Sequence, residues 1–470
     1  MNFFDHQHFY LVGIKGVAMT SLAQLLLDAG KSVSGSDQGE EFVTQTKLDQ
    51  LGVTIDADFA AQLPKNTDCV IYTAAHRGKF NPQVQAAIKL GTAVYSQAEA
   101  LSCFFNQKKG IAVCGVGGKS TVSAMIAWIF EKTGRPQSFS VGVGNILGLN
   151  KTGRWLPSSE YFIAEADEYV TDPEAIKQGE PAIARFSYLQ PQITICTHLI
   201  FDHPDVYPNE LATIQAFTTF FDQLKANGSL IINQADRAKI GQTKAKLLSF
   251  GNSPQADVYY QPISNDQPGI NQAVIHYQKQ NFELKLTVPG EYNLENATAA
   301  CLAAVVAGVQ FDQAALALAS FQSTSRRFEK VGRWHGVELY DDYAHHPSEI
   351  KAVAAVIPNW FKGKTCLVAF QPHTYSRTKQ LFDQFATALA QINHLVLLDI
   401  FASAREQADD AVSSQQLANA VSQITGQAVP VLHDYRQLAE YAQKQLSVNQ
   451  IFLTLGAGNI YKAHQLLLSE

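Results

Sequence analysis

The stretch Ile111-Ala112-Val113-Cys114-Gly115-Val116-Gly117-Gly118-Lys119-Ser120-Thr121 constrains this chain more than any other. An apolar run stops abruptly in glycines, and a lysine, two hydroxyls and an amphipathic run from Val122 to Lys132 follow. The pattern predicts a buried strand, a tight turn and a helix. Backbone N–H groups of such a turn close around a phosphate, and the new helix adds the positive end of its dipole. Gly115, Gly117, Gly118 and Thr121 would then line the phosphates, with Lys119 reaching the outer ones and Ser120 holding Mg²⁺. The standard phosphate loop wants a glycine where Val113 stands, so this loop is shorter. The alternative is a glycine-rich turn followed by a surface lysine.

A chain of 470 residues exceeds one ordinary core, and about three domains are expected. The formal net charge of -6, with no basic run, argues against nucleic acid as the main partner. No apolar run reaches about 18 residues, so no membrane span is expected. The opening MNFFDHQHFY has no basic segment followed by a long apolar one, unlike a signal peptide. Six scattered cysteines, none closely paired, read as buried reduced thiols of a cytoplasmic protein.

Residues 1–107 open with an apolar strand, His8 to Gly13. A turn containing Gly13, Gly16 and Met19 and a helix from Thr20 follow, and a second strand ends at Asp37. Strand, glycine turn, helix, strand and acid is the start of a Rossmann-like unit. Read alone it suggests a nicotinamide oxidoreductase, but the third glycine is missing. It better supports a nucleotide diphosphate docked on a helix N-terminus. Phe104 to Gly110 reads as a polar break and linker.

Residues 108–325 carry the phosphate loop and a mixed sheet. Glu165-Ala166-Asp167-Glu168 and Phe201-Asp202-His203-Pro204-Asp205 stand at predicted strand ends, where acids and an imidazole face a ligand crevice. They can ligate Mg²⁺, or be solvated loop acids and a satisfied histidine. Asn293 and Asn296 stand one turn apart before a small-residue helix expected from Ala297. They can cap it or read a base edge.

Residues 326–470 form a second Rossmann-like run. Asp341-Asp342-Tyr343-Ala344-His345-His346 ends one strand, and Gln371-Pro372-His373-Thr374-Tyr375-Ser376-Arg377 ends another. Leu455-Gly456-Ala457-Gly458-Asn459 is a third glycine turn. The charged strand ends suit a small charged substrate and a nucleotide. The fold class expected overall is α/β in three domains: Rossmann-like, a central P-loop-type ATPase with a mixed sheet, and Rossmann-like again.

The motifs RRFEKVG, DDYAHHPSEIKA and FQPHTYSRT, in that order, with EADEY, FDHPDVY and VSGSD before them, resemble the Mur ligase family over nearly the whole length. The likeness is strongest to members that join L-alanine to UDP-N-acetylmuramate. It implies that ATP phosphorylates the lactyl carboxylate and that the amine attacks the acyl phosphate. It further implies two Mg²⁺ ions, one on Ser120 and Glu165, the other on His203. Asn293 and Asn296 match adenine contacts, and Arg327 and Asp342 match ATP contacts. His373 and Arg377 match the amino-acid site, with His345 and His346 beside them. Gly13, Gly16 and Met19, with Asp37 beside them, match the UDP site. Lys119, Glu165, His203 and Arg327 would carry the catalysis.

Departures from the family pattern are Lys15 and Ala18 for glycines, Val116 and Gly117 for threonine and histidine, and His198 for asparagine. Tyr292 replaces histidine, Thr374 arginine and Asn459 aspartate. The central motifs also resemble the ligase that adds a preformed tripeptide during murein recycling. A non-catalytic nucleotide-binding paralogue is the other alternative. The oligomeric state is left open between monomer and homodimer.

Overall fold

The computed structural model describes residues 2–39, 42–60, 62–203, 206–263, 269–402 and 409–469. They fall into two compact units, one of residues 1–263, 272–285 and 294–321, the other of residues 264–271, 286–293 and 322–470. Among the described residues no helix is long and apolar enough to cross a membrane.

The first unit holds two sheets. One is five-stranded and parallel, in the spatial order Thr54–Asp56, Ser32–Ser36, His8–Val12, Cys69–Tyr72, Ala93–Ser96. Its order reverses between His8–Val12 and Cys69–Tyr72, which opens a crevice at their carboxyl ends. The glycine turn occupies that crevice. The helix Val17–Asp28 begins directly after Gly16, three residues earlier than the hydrophobic pattern predicts.

The other sheet runs Gln280–Leu286, Asn271–Tyr277, Val258–Ile263, Lys246–Gly251, Ser229–Asn233, Ile193–Cys196, Lys109–Cys114, Tyr161–Glu165, Gln137–Ser140, Gly153–Arg154. Its inner strands pair in parallel, and Val258–Ile263 pairs antiparallel with Asn271–Tyr277, which makes it the mixed sheet expected. The pattern does not predict Ser229–Asn233 or Lys246–Gly251. All five residues of the first of these are buried, so it has no alternation to read.

These two sheets are joined by more than a linker. Phe104 and Phe105 end the helix Gln97–Phe105 and are fully buried, so the polar break is Asn106 to Lys108 alone. One hydrophobic cluster includes Leu22 and Phe104 from the first sheet's layers with Phe162 and Cys196 from the second. Ser21 Oγ lies 2.8 Å from Ser140 Oγ, and Gln24 Nε2 donates to Thr152 Oγ1 at 2.8 Å, all four residues buried. Buried polar groups satisfied in this way hold one relative placement of the two sheets.

The second unit is built on a sheet in the order Glu329–Trp334, Val337–Asp342, Ile451–Leu455, Cys366–Phe370, Leu395–Leu398, Val431–Leu432. All pairs are parallel except the edge pair of Glu329–Trp334 with Val337–Asp342. The strand Ile451–Leu455 is inserted between two earlier ones, so Asp342, Leu455 and Phe370 stand side by side in register at one edge. All six cysteines are free thiols, five of them buried.

Candidate functional site

The strand Lys109–Cys114 ends at Gly115, and the helix Lys119–Lys132 starts after Gly118. A Cβ on Gly118 would lie 2.5 Å from Asn296 Oδ1, and one on Gly115 the same distance from Thr197 Oγ1. Both glycines have positive φ, so neither position accepts a side chain. The helix opens with Lys119, Ser120 and Thr121, and the N–H groups of its first turn have no partner within the helix.

Several charged and polar side chains meet there. Lys119 Nζ donates to both oxygens of Glu168, at 2.7 and 2.8 Å. Ser120 Oγ donates to Glu165 Oε2 at 2.9 Å, and the Gly142 N–H reaches the same oxygen at 3.1 Å. His203 Nε2 lies 3.7 Å from both Glu168 Oε1 and Asp202 Oδ2. Arg185 pairs with Asp167 at 2.6 Å. Burial pulls the Lys119 ammonium towards neutrality, but Glu168, Asp167 and Glu165 outweigh it and keep the group charged. Burial pushes the Glu165 carboxyl above its ordinary range, against the opposing pull of Lys119. Burial lowers the His203 imidazole's affinity for protons, but Glu168 and Asp202 raise it further than burial lowers it.

Oxygen donors around a half-buried carboxylate suit a hard divalent cation. Ser120 and Glu165 fit Mg²⁺ on this ground, since a cation between them would take the place of the hydrogen bond from Ser120 Oγ to Glu165 Oε2. His203 stands with Glu168 and Asp202, their donor atoms within 4.8 Å of one another. Of the second motif, Pro204 and Asp205 lie outside the described residues. Glu168 has no role of its own in the sequence, only a place in a cluster that can ligate Mg²⁺. Its signal is weak, as the last of three acids in one short cluster.

A cavity of about 160 Å³ adjoins this centre. Val17 and Ala18 at the start of the first helix line one side, and Ser140, Gly142, Glu165, Asp167 and Arg185 line the other. It therefore runs from the glycine turn of the first sheet to the carboxylate beside the phosphate loop.

Burial and hydrogen bonding define what the residues of the first turn can present to a ligand. Met19 is 1 % exposed and its side chain belongs to the hydrophobic core, so only its backbone N–H can face a ligand. Asp37 is also buried, and its carboxylate accepts the Lys15 N–H at 2.7 Å and the Gln38 N–H at 2.8 Å. His76 Nε2 stands 3.6 Å away. Asp37 thus holds the turn closed around Gly13, and Gly16 precedes the helix.

Asn293 and Asn296 sit inside the helix Glu291–Val306, not ahead of one starting at Ala297. Neither is its N-cap. Asn293 Nδ2 donates back to the Pro289 carbonyl at 2.7 Å, and both asparagines are buried.

In the second unit, Asp342 accepts the N–H groups of Phe328 and Ala344, each at 2.7 Å. Burial raises its pKa to about 6, against the pull of Arg327. Arg327 lies 3.6 Å from Glu349 and over the ring of Tyr343. His345 Nδ1 is 2.9 Å from the Tyr343 carbonyl, and burial lowers its pKa. His373 stacks on Phe401, its ring centroid lies 6.2 Å from that of His345, and its Nδ1 is 3.3 Å from Arg377 Nη1. His345, His373 and Arg377 are therefore brought together. His346 is not one of them; it caps the helix Pro347–Trp360, with Nδ1 2.8 Å from Ser348 Oγ. Thr374, between His373 and the helix Tyr375–Gln380, has φ +72°, which a β-branched residue rarely adopts.

Three family patterns match in order: "Mur ligase family, catalytic domain" over residues 8–109, "Mur ligase middle domain" over 113–304, and "Mur ligase, glutamate ligase domain" over 326–458. The chain is similar to the UDP-N-acetylmuramate–L-alanine ligase of Desulfitobacterium hafniense, 32% identical over 98% of this chain and 99% of the relative. Among solved structures it is similar to the UDP-N-acetylmuramate-alanine ligase of Thermotoga maritima, with TM-score 0.81, 23% identity and 99% of each chain covered. The murein peptide ligase of Psychrobacter arcticus matches with TM-score 0.70, 21% identity and 98% of each chain covered. At these identities the structures speak to the fold alone.

Proposed function

The chain belongs to the Mur ligase family, and we propose that it joins L-alanine to the lactyl carboxylate of UDP-N-acetylmuramate at the expense of ATP, in peptidoglycan precursor synthesis. The observation that carries this reading is Glu165, bonded to Ser120 of the phosphate loop, at one end of a cavity whose other end is the start of the helix Val17–Asp28.

In this reading the UDP diphosphate docks on the first turn of the helix Val17–Asp28, around Gly13 and Gly16. The sugar follows the cavity, and its lactyl carboxylate arrives beside Glu165. ATP lies on the phosphate loop, with Gly115, Gly117, Gly118 and Thr121 around its phosphates. Lys119 neutralises charge on the transferred group, leaving Glu168 to do so. Asn293 and Asn296 are assigned to the adenine, and Arg327 and Asp342 to ATP. Mg²⁺ held by Ser120 and Glu165, and a second ion at His203, would supply charge neutralisation. In-line phosphoryl transfer needs such neutralisation and positioning more than covalent help.

The lactyl oxygen attacks the γ-phosphorus, ADP leaves, and an acyl phosphate forms. The amine of the acceptor attacks its carbonyl carbon, phosphate departs from the tetrahedral intermediate, and the amine proton passes to solvent or base. His373, Arg377 and His345 are assigned to the acceptor. We assign domains to residues 1–107, 108–325 and 326–470. We place the reaction in the cytoplasm, in keeping with six free thiols.

A tripeptide acceptor is the second reading, and Thr374 favours it, because no side-chain cation at that position meets the carboxylate of a single amino acid. The test is phosphate release and amide formation with ATP, Mg²⁺ and UDP-N-acetylmuramate, adding L-alanine, glycine, L-serine or the tripeptide separately. Product with L-alanine supports the first reading and product with the tripeptide alone supports the second. ATP binding without any product would leave a nucleotide-binding paralogue.

A further inference from the structure

Next to Arg327 stands a second arginine with no task in the reaction. Arg326 is 7% exposed, and its backbone is left-handed at φ +62°. Its Nε donates to Asp341 Oδ2 at 2.8 Å, Nη1 to the Gly458 carbonyl at 3.1 Å and Nη2 to the Gly456 carbonyl at 2.5 Å. The guanidinium lies over the rings of Tyr343 and Tyr461, 5.1 and 4.6 Å from their centroids. Asp341 is held in turn by Thr454 Oγ1, which lies 2.8 Å from His464 Nε2. Taking a guanidinium out of water is costly unless its donors are matched. Here they are matched by one carboxylate and two carbonyls of a single turn.

The same turn is gripped from its other side. Gln371 Oε1 accepts the Ile460 N–H at 3.1 Å, and its Nε2 donates to Asn459 Oδ1 at 3.2 Å. The Gln371 N–H bonds the Leu455 carbonyl at 2.9 Å. A Cβ on Gly458 would sit 2.5 Å from Gln371 Oε1 and 2.8 Å from Phe401 Cγ, so position 458 leaves little room for a side chain. The Gly456 N–H bonds the Asp342 carbonyl at 3.1 Å. Asp342 lies on one flank of the turn, and His373 follows Gln371 by two residues on the other.

We infer that Arg326 is a positioning residue: with Gln371 it clamps the turn Gly456–Gly458 as a spacer between the Arg327–Asp342 pair and the His373–Arg377 pair. What is spaced rests on the ligase reading; the clamp does not. Only the planar fork of arginine reaches three acceptors in fixed directions, which a lysine ammonium cannot do. Slackening the clamp misaligns the acceptor amine, and water then competes for the acyl phosphate. Water oxygen bonds to the carbonyl carbon, the bond from that carbon to the bridging phosphate oxygen breaks, phosphate leaves with the electron pair and the proton goes to solvent. The sugar carboxylate is regenerated and ATP is spent without amide.

The test compares R326K and Q371M with wild type in two readouts. One is phosphate released per amide formed. It should rise from about one to about three or more, since an ångström-scale misplacement costs an aligned reaction up to about 100-fold. The other is backbone hydrogen exchange, which should rise both at Gly456–Ile460 and at Gln371–Thr374. A ratio that stays at one, or exchange that rises only at the altered residue's own segment, overturns the inference. Should R326K not fold, Q371M decides. Should wild type form no amide with any acceptor, the ligase reading falls and hydrogen exchange alone decides the clamp.

Discussion

The ammonium of Lys119 is bound by both carboxylate oxygens of Glu168, at 2.7 and 2.8 Å, and Glu168 is 1% exposed. The lysine proposed to meet phosphate is thus held in place by an internal carboxylate, which a nucleotide bound there would displace. Breaking a buried pair from one side leaves an uncompensated charge, so E168Q should lose about 3 kcal/mol of stability, read as a lower urea midpoint. ATP phosphates can replace the lost carboxylate. Saturating ATP should therefore raise the Tm of E168Q more than that of wild type. An equal shift in both proteins would mean that Lys119 does not meet the nucleotide.

Glu165 touches Ser120 and the Gly142 N–H and faces the cavity. E165A should keep its circular dichroism spectrum and lose at least about 100-fold in turnover, the scale of removing one group that stabilises transferred charge. Turnover within twofold of wild type would take Glu165 out of the site.

Asp342 is a buried carboxyl whose pKa is raised to about 6. A folded-state pKa above the unfolded value means that the native protein binds more protons between pH 4 and 6. This group's contribution to stability is therefore present at low pH and is lost as pH rises through about 6. Two pKa units correspond to roughly 3 kcal/mol. The stability difference between wild type and D342N should shift in favour of D342N by up to that amount from pH 4 to 7. A difference flat with pH would show that Asp342 stays ionised.

Thr374 holds φ +72° and ψ +140°, with its N–H bonded to the Phe401 carbonyl at 3.0 Å. Such backbone strain costs about 1–3 kcal/mol in a non-glycine residue, and glycine returns part of it as chain entropy. T374G should raise stability by about 1 kcal/mol in urea titration, while the acceptor KM rises as the turn carrying His373 loosens. A destabilised T374G would mean that the threonine side chain contributes more than its backbone costs.

Where a signal is local, it was legible. The strand expected from His8 to Gly13 forms as His8–Val12 and stops at the glycine turn. The phosphate loop is a contiguous run of residues whose chemistry depends on neighbours in sequence. Where partners come from afar, the reading failed. Nothing marks Glu168 as the carboxylate that reaches Lys119, because 49 residues separate them and Asp167 is equally acidic. Nothing tells Arg326 from Arg327, although one is buried against Asp341 and the other is partly exposed beside Glu349. For Met19 and His346 a motif names positions, while burial and capping decide what their side chains touch.

By itself the sequence determined the alternation of strand and helix, the three glycine turns, and which residues stand at strand ends. Each of these follows from hydrophobic period and backbone stereochemistry within a few neighbours. The tertiary structure alone decided which strand ends lie side by side, that Glu168 neutralises Lys119, and that two buried side chains clamp the last glycine turn. Those outcomes depend on strand order and on the desolvation of charges brought together from distant parts of the chain, which no local pattern encodes.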